Sequence, residues 1–167
     1  MIRLALALAA LSLAACASTA PTRPAGAEAR PDAEAEVVAT VERFLAAIMT
    51  HDRETWRELL LEGSNATVQL ETPEGDWRFV SLDYDRLAAF QDGPQTREES
   101  EPIWATTVLV RGNMAVAWAP YEFLRDGERL HCGVDVFILQ KVEGAWKIGS
   151  SAWTQEKTRC ADLDAAR

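Results

Sequence analysis

Apolar and polar residues follow one another in two rhythms. Between Ala33 and Met49 the apolar residues Val37, Val38, Val41, Phe44, Leu45 and Ile48 recur at helical spacing. That predicts an amphipathic helix, with Asp32 as its N-cap after Pro31. A second short helix is expected from about Arg53 to Leu61, with Trp56, Leu59 and Leu60 turned inward and Gly63 ending it. The rhythm then changes to period two. Ala66 to Glu71 and Trp77 to Ser81 alternate around Pro73-Glu74-Gly75, which predicts a hairpin. Tyr84 to Gln91 reads as a third short helix, capped by Asp83 and closed by Gly93-Pro94. A strand from about Ile103 to Arg111 follows, and Met114 to Trp153 reads as three further consecutive strands.

Three turns fix how those strands pair. Asp126-Gly127 is a strong hairpin signal, because both central residues of a type I′ turn need positive φ. Gly112-Asn113 is similar, and Glu143-Gly144 is a weaker case, since Glu tolerates positive φ poorly. Two-residue loops at all three put Trp118 opposite Asp135 and Glu122 opposite His131. One face then collects Thr107, Leu109, Val116, Trp118, Pro120 and Glu122. With them go His131, Gly133, Asp135, Phe137, Leu139, Trp146, Ile148, Ala152 and Thr154. The other face collects Trp104, Ala115, Ala117, Ala119, Tyr121, Val134, Val136, Ile138, Lys147 and Trp153. Both faces are largely apolar, so both are expected to be covered.

The first fifteen residues do not belong to the domain. Arg3 precedes an apolar run from Leu4 to Ala15 that is too short to span a bilayer comfortably. Leu13-Ala14-Ala15-Cys16 resembles a bacterial lipobox. The resemblance implies cleavage before Cys16 and lipid on its sulfur. The alternative is an ordinary secretory signal with Cys16 incidental. Ala17 stands where inner-membrane lipoproteins often carry Asp, so that sorting rule implies the cell envelope, at the outer membrane and facing the periplasm. Residues 16–32 are small, Pro-containing and aperiodic, the composition of a tether. Residues 33–160 are the right size for one domain, and 161–167 form a polar tail.

Charge removes some functions. The chain carries a formal net charge of −9 with no basic cluster, which argues against nucleic acid as a partner. It leaves the lipid as the only membrane attachment. With Cys16 lipidated, Cys132 and Cys160 remain, and two thiols in an oxidising space invite a disulfide. The alternative is a buried Cys132 and a free tail cysteine. Two distant histidines and no Cys-x-x-Cys give no basis for a metal site, and no cofactor is implied.

The order helix, helix, hairpin, helix, four strands resembles the nuclear transport factor 2-like superfamily, which includes ketosteroid isomerases and SnoaL-like cyclases. The local signature is His131-Cys132-Gly133-Val134-Asp135-Val136-Phe137 followed by Gly144-Ala145-Trp146-Lys147-Ile148. The resemblance implies an α+β domain whose curved antiparallel sheet wraps on N-terminal helices to enclose a cone. No ketosteroid-isomerase catalytic set matches residue for residue.

The face carrying Trp146 is the expected lining of that cone. It brings Asp135 and His131 inside as acid and base, or as anchors, with Trp118, Glu122, Phe137, Trp146 and Thr154 as ligand-binding residues. The bland reading pairs Asp135 with a backbone N–H or the Trp118 indole, and joins His131 to Glu122 across the strands. Three functions follow. The first is a lipid-anchored periplasmic domain binding a small, partly apolar molecule. The second is an isomerase, dehydratase or cyclase using Asp135 and His131. The third is a protein-interaction module with a filled cone. The opposite face, with its alanines and Val136, is expected to pack a homodimer.

Overall fold

In the computed structural model, residues 26, 30–89, 92, 94–165 and 167 are described. The signal segment 1–15, Cys16, nearly all of the tether and the Gly93 stop lie outside the described residues.

Helix α1 (Pro31–Met49) opens the domain, followed by α2 (Arg53–Leu59). Helix α1 starts two residues earlier than the periodicity predicts. Arg30 is its N-cap and Pro31 lies in its first turn, where a missing N–H costs nothing. Helix α2 is capped by Asp52, whose carboxylate accepts from the Thr55 N–H. It hands over directly at Leu60 to strand β1 (Leu60–Glu71), which forms a hairpin with β2 (Trp77–Asp83). Helix α3 (Tyr84–Ala89) is capped by Asp83 through the Arg86 N–H at 2.9 Å. Short β3 (Glu99–Ser100) precedes β4 (Thr107–Arg111), β5 (Met114–Arg125), β6 (Glu128–Val142) and β7 (Ala145–Gln155). A final turn of helix, α4, spans Cys160–Asp164.

One sheet contains every strand, in the order β2-β1-β7-β6-β5-β3, with β4 also on β5. All neighbours are antiparallel except β1 and β7, which run parallel. The turns Asp126-Gly127 and Glu143-Gly144 both adopt positive φ at each residue, so Glu143 accepts the strain that its side chain disfavours.

The expected register holds along all of β4 against β5, but between β5, β6 and β7 it holds only near the turns. Leu124 lies opposite Arg129, but Phe123 lies opposite His131, leaving Leu130 as an extra residue on β6. Leu139 lies opposite Ile148, but Ile138 lies opposite Ser150, leaving Gly149 as an extra residue on β7. Each bulge slips the pairing by one, which turns every residue beyond it to the other face. Asp135 therefore pairs with Ala119 and Trp153, and Trp118 pairs with Val136.

The faces are redrawn accordingly. Val108, Val110, Ala115, Ala117, Phe137, Leu139, Trp146 and Ile148 pack with Val37, Val41, Phe44 and Leu45 of α1 in one core. The small Ala115 and Ala117 let α1 lie close on the sheet, and Phe44 meets Phe137 edge to face at 5.9 Å. The alanines expected on the outer face are thus beneath the helix. Val116, Trp118, Val136, Ile138 and Ala152 lie on the outside instead.

The tail folds back over one end of that outer face. Cys132 and Cys160 are joined in a disulfide, with Cα atoms 5.7 Å apart. Cys132 and Glu156 exchange backbone hydrogen bonds at 2.9 and 2.8 Å. Arg129 donates to Glu122 and to Asp164, and Arg167 donates to Glu122 at 2.6 Å. The Trp104 indole donates to the Leu163 carbonyl, and the Arg167 guanidinium lies 4.8 Å from that ring's centroid.

Candidate functional site

Between the helices and the concave face of the sheet lies a cavity of about 410 Å³. Its walls are mainly apolar: Phe44, Leu45 and Ile48 from α1, Trp56 from α2, Phe123 from β5, and Phe137 from β6. The cone is therefore not filled by its own side chains, and the filled-cone reading fails on that point. A second cleft, about 460 Å³, runs beside it between α1 and the β3 segment. The two share Leu45, Met49, Glu99 and Glu101.

Asp135 lines the main cavity from the middle of β6, only 5% exposed. Among the described residues its Oδ2 has no hydrogen-bond partner. Burial, then the neighbouring Glu101 carboxyl, push its pKa well above the usual carboxylate range. Glu101 lines the same cavity, and burial raises it to about 7. Two carboxyls facing one apolar space are hard to ionise together, because neither charge is solvated or neutralised.

His131 also lines the cavity, stacked on Phe123 with centroids 4.9 Å apart and rings 3° from parallel. Burial, with Lys157 and Arg125 nearby, lowers its pKa to about 4, so the ring is neutral at ordinary pH. The Tyr121 hydroxyl donates to the Thr154 carbonyl at 2.7 Å and lies 3.3 Å from His131 Nδ1. Tyr121 has one hydrogen and spends it on Thr154, so Nδ1 donates and Nε2 is the bare nitrogen. Burial and the surrounding carboxyls, Asp135 first, raise the Tyr121 pKa, and the phenol stays protonated.

Of the expected site residues, Asp135, His131 and Phe137 line the cavity. Four others do not. Trp118 is on the outer face, 52% exposed, because the Leu130 bulge inverts β5 relative to β6. Glu122 is outside too, buried beneath the tail between Arg129 and Arg167. Burial raises its pKa, but those two guanidinium partners outweigh it and hold the carboxyl below its usual range. It lies opposite Cys132, not His131. Thr154 turns outward beyond the Gly149 bulge, where its hydroxyl accepts from the Val134 N–H and donates to Glu156. Trp146 faces inward but belongs to the packed core. Its indole donates to Glu36 of α1 at 3.1 Å, and Lys141 lies over its ring.

Sequence reasoning missed Glu101, Trp153 and Tyr121. Trp153 lines the cavity, and Tyr121 orders His131 from behind. The signal for Trp153 was available: an isolated glycine within a strand, here Gly149, marks a bulge. Among the described residues no group of three His, Cys, Asp or Glu could hold a metal ion. No helix among them is long and apolar enough to cross a membrane.

Neither a family model nor a curated relative matches the sequence. Solved structures do. An NTF-2-like protein of unknown function from Silicibacter pomeroyi is 19% identical with a TM-score of 0.54, over 75% of this chain and 98% of that one. An NTF2-like protein with a cystatin-like fold from Novosphingobium aromaticivorans is 17% identical at a TM-score of 0.60, over 81% and 89%. The association domain of C. elegans CaMKII is 16% identical at 0.58, over 74% and 95%. The chain thus has the nuclear transport factor 2-like fold, an α+β domain with a curved, unclosed sheet and N-terminal helices.

Proposed function

We propose that this domain binds a small, partly apolar molecule in its cone, with Asp135 as the polar anchor. One observation carries the reading. A carboxyl oxygen without a partner is buried in an otherwise apolar cavity, which is costly unless something enters to pair it. Ser151 lines the same cavity, so Ser151→Trp should fill it. Nile red, a neutral apolar dye, should brighten on binding the native chain one to one and not the variant. Equal brightening by two equally folded proteins would contradict cone binding.

The finer setting of this reading is a lipid anchor at Cys16 in the periplasm, supported by Leu13-Ala14-Ala15-Cys16. Labelled palmitate should enter the native protein and not Cys16→Ser; label in both sinks the anchor. Homodimer formation belongs to the same proposal. Its support is the exposed outer sheet and a structural neighbour that is itself an association domain.

A second reading, proton-transfer catalysis, is favoured by one fact: Asp135, His131 and Glu101 all face one cavity. Glu101, near 7, is suited to exchange protons at neutral pH. Enolisable ketones in deuterated buffer should then exchange at a rate lost in Asp135→Asn. Exchange no faster than in buffer alone removes this reading.

A further inference from the structure

Resting on the cone-binding reading, we infer that the molecule taken up is a cationic amphiphile. It would have an aromatic or aliphatic body in the cone and an amine or ammonium group against the carboxyls of Asp135 and Glu101. The ionisable groups on the cavity wall are Glu99, Glu101, Asp135, His51 and His131; among the described residues no lysine or arginine lines it. Glu99 is already neutralised by Arg125 at 2.8 Å. Among the described residues no basic side chain forms an ion pair with Asp135 or Glu101. Asp135 is nine-tenths or more buried and has an orphaned oxygen.

Apart from the two histidines, the described residues of the surrounding elements put no basic side chain on the cavity wall. From β5 comes the neutral Tyr121 phenol, and from β6 the neutral His131 ring. His51 sits at the turn between α1 and α2. Glu42 of α1 lines the adjoining cleft and adds another acidic group on that side. The charges acting on His131, Lys157 and Arg125, do not line the cavity. A bound anion would face Asp135 and Glu101 with no lysine or arginine among the described lining residues to hold it. A bound cation would supply the missing counter-charge through charge-assisted hydrogen bonds. Trp56, Trp153 and Phe44 put aromatic rings on the same wall, where a cation could also meet a ring face.

The sign of the pH dependence follows. Burial raises both carboxyls, with the Glu101 charge adding to the rise at Asp135, and it takes Glu101 up to about 7. A cation needs them ionised, so its affinity rises as pH climbs through that value. A neutral ligand accepting a hydrogen bond from the protonated acids shows the opposite trend.

Calorimetry on the full chain with phenylbutylamine, phenylbutanol and phenylbutyrate separates these cases, because the three share one body. At about pH 8 the amine should bind about tenfold or more tighter than the alcohol, with the acid weakest. That preference should shrink at about pH 5, and it should fall in Asp135→Asn and in Glu101→Gln with melting points recorded as folding controls. An alcohol that binds as well as the amine at both pH values overturns the charge inference and leaves cone binding standing. Binding of none of the three, at concentrations where the dye also fails, overturns both.

Discussion

Gly133 shows how closely individual residues are set. A Cβ added there would lie 2.0 Å from the Thr154 carbonyl oxygen, the atom that accepts from Tyr121. Only glycine allows β7 to approach that near, so Gly133→Ala must push backbone rather than a flexible side chain. We expect a loss of about 1–3 kcal/mol, read as a lower urea midpoint. An unchanged midpoint would mean that the approach is looser than described. At this scale the sequence was informative about Asp135 and His131, because a polar group in a Val- and Phe-rich strand demands an explanation. It was silent about Glu101, which lies in the irregular stretch between β3 and the Ile103–Tyr121 bridge. No periodicity orients a side chain there.

Elements were more legible than their orientations. The helices and strands β5 to β7 follow from apolar spacing and from the turn glycines, whereas β1 already begins at Leu60, where the helical reading ran on to Leu61 and its Gly63 stop. Which way each strand faces depends on Leu130 and Gly149, single residues that alternation counts as ordinary. Of these two, only Gly149 announces itself. The tail is a further element whose docking needed the fold. It is tied by the disulfide, by the Arg129 and Arg167 ion pairs, and by Trp104. Cys160→Ser should cost about 3 kcal/mol, since the bridge closes a loop of 28 residues' separation. Reductant should lower the native melting temperature towards that of the variant and leave the variant unmoved. A reductant effect equal in both would locate the loss elsewhere.

At the scale of the whole molecule, the two faces of the sheet have different fates. The concave face is divided between core and cavity. The outer face is covered by the tail at its Cys132 end and open at the other, where Trp118 is 52%, Met114 51% and Ile138 41% exposed. An apolar patch of this kind favours association, so a homodimer should form across it. Its members are Val116, Trp118, Val136, Ile138 and Ala152, not the alanines of β5. Val136→Glu, between Trp118 and Ala152, should convert a dimer into a folded monomer in sedimentation. A native chain that is already monomeric at tens of micromolar concentration contradicts the dimer, since a stable interface persists on that scale.

The central claim is that the cone holds a molecule through Asp135, and native mass spectrometry of protein purified from its own host tests it most directly. The account predicts a non-covalent mass, above the chain and any attached lipid, that is lost on denaturation and absent from Ser151→Trp. A native spectrum showing only the chain and its lipid, together with no dye uptake by the same preparation, would contradict it.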